Sequence, residues 1–175
     1  MKVIIHFYRH GESQANVTQH QMRCGDVRHL LMRDPVLTEE GINKCIESQK
    51  EAPEVDIILS SQLLRAIQTA LYTYPKKFVH VVPFLNELGS GLDNSPLDNV
   101  HQKSILKNDF YRVEYTTNQN EKDFITYLKA HILPRFNKET INVAMFTHSR
   151  FMKKYLKKSM NELPNNIRIT KEFNL

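Results

Sequence analysis

The sequence predicts an α/β fold: a three-layer sandwich with a mostly parallel central sheet and helices on both faces. Two observations carry that prediction. Short runs of β-branched and aromatic residues alternate with segments whose apolar residues recur at helical spacing. No internal repeat, low-complexity tract or linker interrupts the alternation, so residues 1–175 read as a single domain. Strands that alternate with helices need crossovers, and crossovers make neighbouring strands parallel and cover both sheet faces.

Val3 to Tyr8 is the first strand, starting almost at the beginning of the chain. Leu37-Thr38-Glu39-Glu40 starts a helix, with Thr38 as N-cap and two acids in the first turn, running to about Lys50. Asp56 to Leu59 is the second strand. Ser60 or Ser61 then caps a helix carrying Leu63, Leu64, Ile67 and Leu71 at helical spacing. Phe78 to Val82 is the third strand. Residues 86–118, rich in Asn, Asp and Gly, read as an irregular insertion near the functional end of the sheet. So long an insertion is expected to be functional or to hold structure of its own. Asn120 to Phe136 reads as a helix with Phe124, Leu128 and Leu133 inward, Ile141 to Phe146 as a fourth strand, and Ser149 to about Met160 as a final helix. The tail carries no assignment.

Composition narrows the function classes. The chain is 41% hydrophobic and 25% charged, as in an ordinary soluble domain. Cys24 and Cys45 sit in no paired motif and give no disulfide framework. Met1 to His6 is too short and too soon interrupted for a signal peptide, and no apolar run is long enough to cross a bilayer. A cytoplasmic protein is expected, with no membrane partner. The net charge of +5 favours anionic ligands. Lys153-Lys154-Tyr155-Leu156-Lys157-Lys158 reads as a solvated helix face with Met152, Tyr155, Leu156 and Met160 turned inward. No nucleic-acid motif accompanies it, so nucleic acid is not an expected partner. Oligomeric state is not legible.

Chemistry-bearing residues follow the strands. Arg9 and His10 come after the first, Ser60, Ser61 and then Arg65 after the second, Glu87 after the third and His148 after the fourth. Ligands of open α/β sheets bind outside the carboxyl ends of the strands. Two arginines, two histidines and a carboxyl group are therefore expected in one crevice. Guanidinium forks match phosphate oxygens. A neutral imidazole attacks phosphorus, and a second imidazole stabilises the equatorial oxygens. Gly11 lets the backbone approach a ligand, a helix from near Ser13 would aim amides at an anion, and Glu87 can protonate a leaving oxygen.

Tyr8-Arg9-His10-Gly11-Glu12-Ser13-Gln14-Ala15-Asn16 resembles the signature of the histidine phosphatase superfamily, the phosphoglycerate mutase-like proteins. Ser60-Ser61-Gln62-Leu63-Leu64-Arg65-Ala66-Ile67-Gln68-Thr69-Ala70 resembles its second motif. Asp34 to Gly41 is similar to the intervening helix start, Leu85-Asn86-Glu87-Leu88 to the acid-bearing segment and Phe146-Thr147-His148-Ser149 to the final motif. The similarity runs from Lys2 to about Leu156. It implies His10 as the phosphorylated residue, Arg9, Arg65 and His148 lining the phosphate pocket with Asn16 assisting, and Glu87 as proton donor. Asp93 and Asp98 are the nearby substitutes for Glu87. No metal or cofactor is implied. Ser149 departs from the glycine usual after the second histidine.

The implied activity is phosphatase: hydrolysis of a phosphorylated small molecule or phosphoprotein. The alternatives are a cofactor-dependent phosphoglycerate mutase, which the mutases' additional segments and C-terminal tail disfavour, and a non-catalytic phospho-ligand binder, which the intact motif positions disfavour. A zinc site at His10, His148 and Glu87 would meet repulsion from Arg9 and Arg65. Ser60 and Ser61 lack the Gly-x-Ser-x-Gly turn of a serine nucleophile. His6, His80 and His131 read as structural. His20, Arg23, Arg28, His29 and Arg33, all between Val17 and Arg33, read either as a basic surface loop or as a pocket rim selecting a multiply anionic substrate.

Overall fold

A computed structural model of the chain describes residues 1–21, 31–89, 91–114, 124–159 and 163–175. The strands are β1 (Lys2–Arg9), β2 (Ile57–Ser60), β3 (Val79–Val81), β4 (Tyr111–Val113), β5 (Thr140–Thr147) and β6 (Arg168–Asn174). They form one sheet in the order β4-β3-β2-β5-β1-β6. All pairings are parallel except β1 with β6. The helices are α1 (Gln14–Gln21), α2 (Glu39–Glu47), α3 (Leu64–Thr73), α4 (Asn99–Leu106), α5 (Phe124–Tyr127) and α6 (Ser149–Leu156).

Strand alternation divides the core in two. Val3, Ile5 and Phe7 of β1, Ile57 and Leu59 of β2, and Ile141, Val143 and Met145 of β5 pack on one face against Phe124, Tyr127, Leu128, Phe151 and Met152. On the other face Tyr8, Ile58, Ala144 and Phe146 meet Ala66, Ile67, Ala70 and Leu71 of α3. A period of two along each central strand puts successive side chains in opposite layers, so α5 and α6 cover one face and α3 the other.

The predicted central strands and the helices at 39–47, 64–73 and 149–156 are present. Thr38 caps α2 as predicted, its Oγ1 accepting from the Gly41 amide at 3.0 Å. Three readings need correction, and the unassigned tail gains a strand. Segment 86–118 is not irregular throughout: it contains α4 and the edge strand β4. The tail forms β6, which pairs along β1 from Lys2↔Asn174 to Tyr8↔Arg168. The predicted helix over 120–136 is described only from Phe124, and it leaves α-geometry for a π-turn at Leu128–Ile132 and a 3₁₀ turn at Leu133–Arg135. Neither Ser60 nor Ser61 caps α3. Its cap position is Leu63, and the Leu64 amide donates instead to Oδ1 of distant Asp34 at 2.8 Å.

His6 bonds Thr170, His80 bonds Glu114, and His131 packs on the Tyr127 ring. In the lysine run Met152 is buried and Tyr155 and Leu156 are half-buried, while Lys153 and Lys154 face outward. Met160, Cys24, Arg23, Arg28 and His29 lie outside the described residues. Among the described residues no helix is long and apolar enough to cross a membrane.

Gly41 locks the start of α2 onto the loop after β1. A Cβ there would meet the Glu12 carbonyl oxygen at 2.3 Å, and that oxygen accepts from the Thr38 amide. Gly41→Ala should therefore destabilise the protein by about 1–3 kcal/mol, the usual cost of forcing an extra methyl group into a packed site. Urea unfolding measures this directly; an unshifted midpoint would show that the contact is relaxed.

Candidate active site

Four adjacent parallel strands, β3-β2-β5-β1, end toward one side of the molecule. Arg9 closes β1 opposite Thr147, the last residue of β5, and Ser60 closes β2 opposite Phe146. The ladder runs one bond further on each: His10 N–H donates to Thr147 O at 3.0 Å, Ser61 N–H to Phe146 O at 3.0 Å and Val82 N–H to Ser60 O at 2.7 Å. His10, Ser61 and His148 are thus the first residues beyond three neighbouring strands. They take their places from rigid backbone, as ligand sites in open parallel sheets do.

The His10 and His148 rings face each other, centroids 5.1 Å apart at 52°. Both side chains are buried. His10 Nδ1 lies 2.7 Å from the Gly11 carbonyl oxygen. A carbonyl only accepts, so Nδ1 carries the proton and the lone pair of the neutral ring is on Nε2. Burial holds the His10 pKa well below its ordinary 6.5, and the charges of Arg65 and then Arg9 push the same way. The same burial, with Arg65, His10 and Arg9, keeps His148 neutral. Two uncharged imidazoles therefore sit within the fields of two guanidinium groups.

Arg65 is buried, and its fork is oriented by the turn at Leu92–Asn94. Nη1 donates to Asp93 O at 2.6 Å and Nη2 to Asn94 Oδ1 at 2.9 Å. Arg9 is half-buried and donates through Nη1 to Leu163 O. Its Nε is buried without a hydrogen-bond partner among the described residues, as is His148 Nδ1. Unpaired buried polar groups cost about 1–3 kcal/mol each, and they accumulate where a ligand completes the bonding.

Glu87 lies on a 3₁₀ turn's exit after β3 and faces the start of α6. Its Oε1 accepts from the Leu88 amide at 3.0 Å, and its Oε2 from Ser149 Oγ and the Arg150 amide, each at 3.4 Å. Burial raises its pKa, outweighing the opposing pull of the two amides, Arg65 and Arg150. A carboxyl group biased toward its acid form therefore stands within the electrostatic reach of Arg9 and Arg65. Asp98 is placed differently: it is exposed, caps α4 through the His101 amide, and is lowered by His101. Asn16 joins the cluster from α1. Its Oδ1 accepts from Ser13 N, Ser13 Oγ and Asn165 Nδ2 at 3.0 to 3.1 Å.

The whole span carrying this cluster matches one family profile, that of the histidine phosphatase superfamily (branch 1), over residues 5–171. The chain belongs to that superfamily. Solved structures agree in fold. Phosphoserine phosphatase from Entamoeba histolytica, in complex with 3-phosphoglyceric acid, superposes with a TM-score of 0.56 at 20% identity, over 96% of this chain and 89% of that one. The mycobacterial glucosyl-3-phosphoglycerate phosphatase does so with a TM-score of 0.56 at 16% identity, over 98% and 91%. No curated protein sequence matches the chain.

Several residues that hold this candidate site together have no assigned role in the sequence reading, although Asp34, Gln62 and Asn86 lie inside its motif segments. Asp34 is buried and ties three segments: Oδ1 takes the Leu64 amide, and Oδ2 takes the Leu97 amide and Gln102 Nε2, both at 2.9 Å. It thereby fixes the helix bearing Arg65 to the loop that orients the Arg65 fork. Gln62 and Asn86 bond reciprocally at 2.8 and 3.0 Å, registering that helix against Glu87. Asn165 Nδ2 reaches His10 O, Gly11 O and Asn16 Oδ1, each at 3.1 Å.

One reading of the first motif changes, and Gly11 is also crowded by the protein itself: a Cβ would meet Asn166 Oδ1 at 3.0 Å and Cys45 Sγ and Leu37 Cδ2 at 3.2 Å. At the start of α1, the Ser13 amide is spent on Asn16 and the Gln14 amide on Val36 O, so these two are not offered to an anion. Of the basic stretch, His20 and Arg33 are described and exposed, and Arg33 donates to Pro96 O at 3.4 Å.

Proposed function

We propose that the protein is a metal-independent phosphatase that hydrolyses phosphomonoesters through phosphohistidine at His10. One observation carries the reading: a buried neutral imidazole, its Nδ1 tied to Gly11 O and its Nε2 lone pair free, sits among two guanidinium groups and a second imidazole. The relatives in fold that are named phosphatases support hydrolysis over binding alone.

In the first step His10 Nε2 attacks phosphorus and the ester P–O bond breaks. The departing oxygen takes its proton from Glu87. Arg9, Arg65 and the His148 N–H stabilise the negative charge on the equatorial oxygens, and the Asn16 amide assists; such preorganised donors are the largest contributors in most sites of this kind. In the second step water attacks the phosphohistidine, gives its proton to Glu87 carboxylate and releases inorganic phosphate. The enzyme returns to its starting state. A phosphorylated small molecule or a phosphoprotein side chain would serve as substrate.

Alkaline quenching of the enzyme within its first turnovers should trap acid-labile, alkali-stable phosphate on His10, read by mass spectrometry of the peptide. Label on a serine would refute the mechanism. Because charge stabilisation comes from side chains of this chain, turnover of p-nitrophenyl phosphate should survive exhaustive chelation. A loss that Mg²⁺ or Zn²⁺ restores would refute metal independence.

A further inference from the structure

Ser61 is fully buried, directly beyond β2, and its Oγ lies 2.7 Å from His148 Nε2. The same Oγ accepts from the Leu63 amide at 3.2 Å. These two contacts decide where the protons are. If Nε2 carried the ring proton, it would donate to Oγ, and the oxygen would accept twice while its own hydrogen had no acceptor. A buried unpaired donor of that kind is disfavoured. If Ser61 O–H donates to Nε2, both Ser61 contacts are satisfied, and the neutral His148 ring carries its proton on Nδ1. That nitrogen is buried, has no partner among the described residues, and belongs to the ring that faces His10.

We propose that Ser61 is a positioning residue that sets His148 in its Nδ1–H tautomer, so that this N–H is the donor offered to an equatorial oxygen of the phosphoryl group moving onto His10. The role is distinct from that of a serine nucleophile, because the hydroxyl proton is committed to His148. It also explains why Ser61 does not cap α3: its oxygen lies between His148 and the Leu63 amide, and Asp34 serves the next amide instead. The other tautomer would turn an imidazole lone pair toward a dianion and repel it. The hydroxyl therefore converts an ambivalent ring into an obligate donor without charging it.

This inference rests on the phosphatase reading for its consequence and not for its geometry, and the experiment separates the two. Long-range ¹H–¹⁵N spectra of the full-length protein labelled in histidine report the tautomer directly, with His148 assigned by comparison with His148→Gln. The expected pattern at neutral pH has a protonated Nδ1 and a bare Nε2. A protonated Nε2 overturns the proposal whether or not the protein hydrolyses anything. Ser61→Ala should lose the fixed pattern. Its kcat for p-nitrophenyl phosphate should fall roughly 10- to 100-fold, somewhat less than removal of an oxyanion donor outright, with a smaller change in KM. Ser61→Thr keeps the hydroxyl and should restore both the spectrum and most of kcat. Wild-type tautomer and kcat in Ser61→Ala would overturn the role. The expected spectrum in a protein that forms no phosphohistidine would uphold the Ser61 assignment and refute the hydrolytic mechanism.

Discussion

His10→Ala is expected to lower kcat for any phosphomonoester by roughly 10⁴- to 10⁶-fold, the range seen when a covalent nucleophile or its activating partner is removed. The size follows from the two-step route. Without Nε2 there is no covalent intermediate, and water would have to attack the ester directly in a site built around an imidazole. The groups proposed to bind the phosphate survive the change. Arg65 is held by Asp93 and Asn94, Arg9 by Leu163, and His148 by Ser61, none of them through the His10 ring. The variant should therefore still bind inorganic phosphate while turning over almost nothing, and alkaline quenching should trap no label. The backbone bonds of His10 to Thr147 and Asn165 do not involve its side chain, so a folded protein is expected. Turnover within tenfold of wild type would end the phosphohistidine mechanism.

The site was legible in the sequence to the extent that its residues stand next to strand ends. His10, Arg65, Glu87 and His148 each follow an apolar run, and a parallel sheet necessarily brings such positions together. What remained hidden depends on long-range pairing without periodicity. Asp34 reaches Leu64 and Leu97 across thirty and sixty-three residues. Asn165 reaches His10 from 155 residues away. A motif segment contains Asp34, but no local pattern says which distant amides such an Asp or Asn will bond. Strand β6 escaped for a different reason. Its exposed side carries Arg168, Thr170, Glu172 and Asn174, the residues of a solvated tail, because an edge strand leaves one side open and places polar and charged groups there. At α3 the sequence pattern misleads, because a serine just before a helical pattern normally bonds the first helical amides, whereas Ser61 faces a buried histidine.

Glu87→Gln is expected to separate substrates by leaving group. Alkyl phosphates need a proton delivered as the P–O bond breaks, because an alkoxide is a poor leaving group. A positioned general acid contributes about 10²- to 10⁴-fold to such a step, and the variant should lose that much on glycerol phosphate or phosphoserine. Aryl phosphates such as p-nitrophenyl phosphate leave unaided and should slow far less. The pH profile carries the sign of the same role. Burial raises the Glu87 pKa, so its acid form persists above the ordinary carboxyl range, and kcat on alkyl substrates should fall as pH rises through that raised value. On the acid side, His10 stays neutral well below 6.5 because burial and the two guanidinium groups oppose its protonation, so activity should not collapse as pH falls through 6.5. In Glu87→Gln the alkaline fall for alkyl phosphates should vanish along with most of the rate. Equal slowing of alkyl and aryl phosphates would show that Glu87 is not the donor. The role would then pass to Asp93, whose carbonyl already holds Arg65 and whose Oδ1 is buried without a partner among the described residues, rather than to Asp98, which is spent on the exposed start of α4.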